Sequence, residues 1–197
     1  MYSLKTILDF YSKVSEEGWN ELYPHLQEEK LKNKSFYIKA GKICSRIGFI
    51  KSGFCRAYYD GQSEDPKTVY FNFVERNPIV SDFESFITKK PSLISIQAIT
   101  DCEIISISRD NLYKLYDKHP SIERLGRVLA EKHYLDSLER IKISHADAKT
   151  RYKSLLDKYP QLIQNVPANM IASYLDITEW SLSRIKKKIF SFPKKLS

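Results

Sequence analysis

The 197 residues carry 42% hydrophobic and 13% aromatic side chains, enough to bury one large core or two modest ones and to exclude wholesale disorder. No apolar run nears the roughly 20 residues that cross a bilayer, and no basic-then-apolar leader follows Met1, so a cytoplasmic protein with no membrane partner is expected. The net charge of +8 is lopsided: residues 146–197 hold ten Lys/Arg against four Asp/Glu, the pattern of a near-neutral body with a basic appendage suited to polyanions.

In chain order, residues 4–14 place Leu4, Ile7, Leu8, Tyr11 and Val14 on one helical face, and Ser15 can cap a second short helix carrying Trp19, Leu22 and Leu26. From about Lys30 to Ser108 the pattern becomes β-rich. "SFYI", "IGFI", "CRAYY", "TVYFNFV", "LISIQAIT" and "EIISIS" are separated by the turn formers Gly41, Gly53, "DGQSEDP" and "ERNP". Many short strands at near-regular spacing predict an antiparallel roll or sandwich, interrupted by a helical turn or two in "SDFESFITKK". A short helix over Asn111–Asp117 turns Leu112, Leu115 and Tyr116 inward. Pro120 then suits the first turn of a long helix with a stripe of Ile122, Leu125, Val128, Leu129, Leu135, Leu138 and Ile141. About 25 residues would span roughly 37 Å, long for one small domain, so the stripe is expected to pair with a partner helix, with Lys132 interrupting it. "ISHAD" reads as a hinge before an amphipathic helix of Ala148, Tyr152, Leu155, Leu156 and Tyr159, which Pro160 stops.

The last motif is "VPANMIASYLDITEWSLSRIKKKI". Pro167 opens a helix whose inner face is Ile171 and Leu175, Ala172 permits a close crossing, Ile177 plugs the turn and Thr178 caps the next helix. There Leu182, Ile185 and Ile189 form the anchored edge, leaving Trp180, Ser181, Arg184, Lys187 and Lys188 outward, with Glu179 and Ser183 beside them. A helix held by its apolar edge with cationic groups outward has the form that enters a major groove. Arg184 can donate two parallel hydrogen bonds to guanine, and Lys187 and Lys188 suit phosphates. The DNA-contact set is Thr178, Glu179, Trp180, Ser181, Ser183, Arg184, Lys187 and Lys188.

Cys44, Cys55 and Cys102 lack any CxxC pairing and read as buried structural thiols rather than disulfide or metal ligands. No GxSxG, HExxH, P-loop or GxGxxG is present, and His25, His119, His133 and His145 show no ligand spacing, so no catalytic residue, metal or cofactor is expected.

Taken together, the order of parts, "GKICSRIGFIKSGFCRAYY", "DCEIISISRDNLYKLYDKHP" and "IASYLDITEWSLSRIKKKI" with its "LSRI" centre resemble the Crp–Fnr family of transcription regulators over almost the whole chain. The resemblance implies an α+β protein of three parts. A cyclic-nucleotide-binding-like β-roll (a jelly-roll-like double-stranded β-helix) covers residues 1–116, a long dimerisation helix and hinge 117–145, and a helix-turn-helix domain 146–197. It implies a homodimer on double-stranded DNA, leaves room for RNA polymerase and a small-molecule effector as partners, and makes an enzyme improbable.

Several positions depart from the family pattern. Asp176 stands where many relatives have glycine in the helix joint, and Trp180 stands where a glutamate reads cytosine, although the guanine-reading arginine is matched by Arg184. "FSFPKKLS" is short for the C-terminal wing. In the effector pocket Ser81 and Asp82 occupy the place of a Gly-Glu pair, and Ser92 and Leu93 that of an Arg-Ser pair. Asp82 can still accept from a hydroxyl, but Ser92 cannot replace a guanidinium on the cyclic phosphate, so cyclic AMP is not the expected ligand. An iron–sulfur cluster is not expected either, for want of an N-terminal cysteine cluster. Asp176, Trp180 and the short C-terminus also sustain an alternative: a β-roll sensor that regulates a protein partner, with a vestigial DNA-binding end.

Overall fold

The computed structural model describes residues 4–60 and 66–190. Helix α1 (Leu4–Tyr11) and helix α2 (Glu16–Leu22) open the chain, and Ser15 caps α2 by accepting from the Gly18 amide at 3.1 Å. Two four-stranded antiparallel sheets follow. The first runs β1 (Gln27–Leu31), β8 (Cys102–Ser108), β3 (Arg46–Ser52), β6 (Ile79–Val80). The second runs β2 (Phe36–Ile38), β7 (Ile94–Ala98), β4 (Cys55–Tyr59), β5 (Lys67–Asn72). This is the expected roll. Helix α3 (Phe83–Thr88) interrupts it where "SDFESFITKK" reads helical.

Two strands had no expectation attached. β1 is "QEEKL", mostly exposed at a sheet edge, where charged side chains protect unpaired backbone and erase the alternation that marks a half-buried strand. β6 is two residues long, too short for any periodicity. Gly53 turns the chain between β3 and β4 at φ +90°, and a Cβ there would lie 2.4 Å from the Asp101 carbonyl oxygen, so the turn needs glycine on both counts. The three cysteines are buried and free, as expected, with Cys55 Sγ 3.7 Å from Cys102 Sγ.

Helix α4 (Arg109–Lys118) leads through His119 into α5 (Pro120–Ser144), the long helix, whose 25 residues match the expected length. α4 and α5 pack closely because Gly126 has no side chain; a Cβ there would lie 2.1 Å from the Tyr116 hydroxyl. The stripe on α5 is not one surface, as the sequence reading had it. Ile122, Leu125 and Leu129 are buried in the roll's own core, while Leu135 and Ile141 are 62% and 58% exposed.

After α5 the chain bends at residues 145–147. Asp147 caps α6 (Ala148–Lys158), accepting from the amides of Lys149 and Thr150. Pro160 does end α6, but it also opens a further short helix, α7 (Pro160–Asn165), followed by α8 (Ala168–Tyr174) and α9 (Glu179–Phe190). These four helices enclose a second core of Tyr152, Leu155, Leu162, Ile171, Ala172, Leu175 and Leu182. Phe71 and Phe73 of the roll complete that core, since the outer side of β5 and its continuation lies against the helices.

Candidate functional site

The α8–α9 joint is built as its residue types require. Asp176 adopts φ +53°, the left-handed conformation that aspartate tolerates better than most residues. Ile177 donates its amide to the Ala172 carbonyl at 3.0 Å and packs on the module core. Thr178 Oγ1 accepts from the Ser181 amide at 3.2 Å, capping α9. Leu182 is buried and Ile185 and Ile189 are half-buried, which orients the rest of the helix. Thr178, Glu179, Trp180, Ser183, Arg184, Lys187 and Lys188 are exposed together on that surface, and Ser181 is half-buried beside the cap. The Arg184 guanidinium lies 4.6 Å over the Trp180 ring, a cation–π contact that holds both side chains at the solvent face. The expectation of a shortened wing concerns residues 191–197, outside the described residues.

The expected effector residues have a different character. Ser81 is buried and its hydroxyl lies 3.5 Å from both the Arg46 carbonyl and Cys44 Sγ. Asp82 is the N-cap of α3 and accepts from the Glu84 and Ser85 amides. Ser92 is buried, donating to the Ile94 carbonyl at 2.7 Å and accepting from the Ile94 amide. Leu93 points outward, 70% exposed. These polar groups are therefore engaged with their own backbone. Position 92 thus supplies a buried, already bonded hydroxyl where the family resemblance places a guanidinium.

A second region was not anticipated. A cleft of about 750 Å³ opens between the start of β5, the end of α5, and helices α6 and α8. Its charged groups are mostly cationic. Lys67 pairs with Asp176 at 3.2 Å and Lys158 with Glu139 at 2.9 Å. The guanidiniums meet neutral oxygens instead. Arg76 donates to the Tyr174 hydroxyl at 3.1 Å, Arg140 to Ser137 Oγ at 2.7 Å, and Arg151 to the Ser144 and Leu175 carbonyls at 2.8 and 2.7 Å. Burial, with Arg76 close by, lowers the pKa of Arg140, so the environment disfavours its charge. Sequence reasoning missed these arginines. Arg76 sits in "ERNP", which reads only as a turn, and Arg140 and Arg151 read as ordinary polar helix positions.

The module is seated on the roll by polar as well as aromatic contacts. The Thr68 amide donates to Ser173 Oγ, which in turn donates to the Pro66 carbonyl, each at 3.0 Å. Phe71 packs 5.4 Å from Tyr174, and Phe73 packs edge-on 5.5 Å from Tyr159.

Among the described residues no cluster of three or more His, Cys, Asp or Glu could hold a metal, and no helix is long and apolar enough to cross a membrane. Residues 28–119 match the family of cyclic nucleotide-binding domains. No curated protein matches the chain. Among solved structures, FixK2 from Bradyrhizobium japonicum is similar with a TM-score of 0.71 at 12% identity, over 84% of this chain and 85% of that one. The c-di-GMP-responsive global regulator CLP from Xanthomonas campestris aligns with a TM-score of 0.69 at 16% identity, over 90% of this chain and 92% of its own. A putative Crp/Fnr-family transcriptional regulator from Eubacterium rectale gives 0.66 at 15% identity, over 89% and 84%. Identities this low speak to fold alone. The roll thus matches the cyclic nucleotide-binding domain family over residues 28–119, and the chain around it has the fold of Crp/Fnr-type regulators.

Proposed function

We propose that the chain is a DNA-binding transcription regulator of the Crp–Fnr type, with residues 1–116 as sensor, 117–145 as dimerisation helix and hinge, and 146–197 as reader. Two copies pair through the exposed half of α5 and present α9 to successive major grooves. Half-sites then lie about one helical turn, roughly 34 Å, apart on a pseudo-palindromic operator. The observation that carries this reading is the surface of α9, where Trp180, Arg184, Lys187 and Lys188 stand exposed beside an edge fixed by Leu182. On this reading Arg184 reads a base and the lysines hold phosphates, while Trp180 in place of glutamate means a different operator from that of the best-known relatives. The roll takes no cyclic AMP, for lack of a guanidinium at Ser92, and calorimetry with cyclic AMP should give no saturable isotherm.

The test compares variants on an operator selected from random DNA and on scrambled DNA across a salt series. Arg184→Ala should cost about 1–3 kcal/mol on the operator alone, relaxing preference at one position per half-site. Lys187→Ala and Lys188→Ala should weaken both DNAs alike and flatten the salt dependence, since each lost phosphate contact releases one counterion fewer. Equal loss on both DNAs for Arg184→Ala would mean a cationic surface rather than a reading one. DNA binding that is weak and indifferent to salt, with tight capture of a protein, would favour the protein-regulating alternative.

A further inference from the structure

The cleft between roll and helical module combines three features that ligand sites share. At about 750 Å³ it lies within the range of small-molecule pockets. Its guanidiniums come from three separate parts of the fold: Arg76 after β5, Arg140 near the end of α5 and Arg151 in α6. None of the three is ion-paired among the described residues, and the nearby carboxylates Asp136, Glu139 and Asp176 are each already bound to a lysine. Arginines that line one cleft and lack counter-ions there are suited to an oxyanion, because the planar fork can donate two parallel hydrogen bonds.

The walls add a second requirement. Tyr59, Tyr159 and Tyr174 line the same cleft, and the Arg76 guanidinium already stacks 5.0 Å over Tyr159 and 5.8 Å from Tyr174. A flat aromatic body can lie against these rings while its anionic end meets the arginines. We infer that the cleft is a binding site for a small phosphorylated molecule with an aromatic body, held by Arg76, Arg140 and Arg151. Ser81, Asp82 and Ser92 do not line it, and their polar groups are engaged with their own chain. Binding here needs no DNA; only the consequence rests on the regulator reading. An occupant joining roll, α5 and α6 favours the docked arrangement and thereby biases how α9 is presented.

Calorimetry of the full-length protein with phenyl phosphate, adenosine monophosphate and flavin mononucleotide tests the site. The controls are phenol, adenosine, riboflavin and inorganic phosphate. At least one aromatic phosphate should saturate below about 1 mM, with its dephosphorylated partner and phosphate alone each at least roughly tenfold weaker. Arg76→Gln and Arg140→Gln should each reduce that affinity roughly tenfold or more, whereas Lys89→Gln beside the roll site should leave it unchanged. Arg184→Ala should also leave it unchanged, so failure of base reading and failure of this site are told apart. The inference is overturned if none of the three phosphates saturates. It is overturned equally if affinity survives both arginine variants. A change of oligomeric state in those variants without any anion binding would assign the arginines to a partner's carboxylates, and would overturn it too.

Discussion

The two halves of α5 share one apolar repeat and meet opposite fates. Over residues 120–130, Ile122, Leu125 and Leu129 sink into the core formed by α1, α4 and the first sheet. Over residues 131–144, Tyr134, Leu135 and Ile141 are exposed, while Arg140 and Ser137 turn toward the cleft. The cause is geometric. The first half packs into the roll's core, with Gly126 letting it approach α4. The second half keeps only one edge on the roll, where Arg140 lies 5.4 Å over the Tyr70 ring of β5, and leaves Tyr134 and Leu135 outward. A stripe read along a sequence is therefore a statement of amphipathicity and not of which body covers it. The first half is part of one protomer's fold, and the second half is the surface the proposed dimer requires.

This contrast can be broken by substitution. Leu125→Ala, which removes buried side-chain volume from the roll's core, should cost about 2–5 kcal/mol in urea unfolding at fixed protein concentration. Leu135→Glu combined with Ile141→Glu should change protomer stability little, because neither side chain is buried in the protomer. It should nonetheless halve the mass seen by light scattering if the exposed half pairs with its copy. A monomeric wild type would remove the dimer from the proposed function. Unfolding of the double variant as deep as that of Leu125→Ala would show that the two halves do not differ in the way argued.

The same contrast explains what the sequence made legible. Strands β2, β3, β4, β5, β7 and β8, the capped α2, the long helix and the joint at Asp176 all carry local signals: alternation, a hydroxyl cap, a proline at a first turn, a residue tolerant of positive φ. β1 escaped because an edge strand takes charge, and α7 because a proline that ends one helix can also begin another. The outward set on α9 was readable because one helix carries all of it. The cleft was not, because Arg76, Arg140 and Arg151 are brought together only when Phe71 and Phe73 close the second core against the helices. Phe71 stands in β5 and Phe73 just beyond it, and nothing local says which body covers them.

The smallest expected effect lies at the boundary between the two halves. His133 stacks on Phe83 with ring centroids 4.4 Å apart, where the buried half of α5 gives way to the half that leaves Tyr134 and Leu135 exposed. Burial lowers its pKa below the ordinary 6.5, the nearby Arg140 lowers it further, and Asp136 and Asp82 oppose the shift more weakly. The native state thus binds its proton less readily than the unfolded chain does. Stability from this group is complete above about 6.5 and falls as pH drops from there through the folded-state value, since the unfolded chain takes up the proton first. His133→Gln should flatten that part of the stability–pH curve, so the difference between wild type and variant isolates the histidine from the carboxylates, which titrate lower. If the two curves stay parallel across this window, the imidazole is as well solvated as in the unfolded chain. The boundary between the buried and the half-exposed part of α5 would then lie before residue 133 rather than at it.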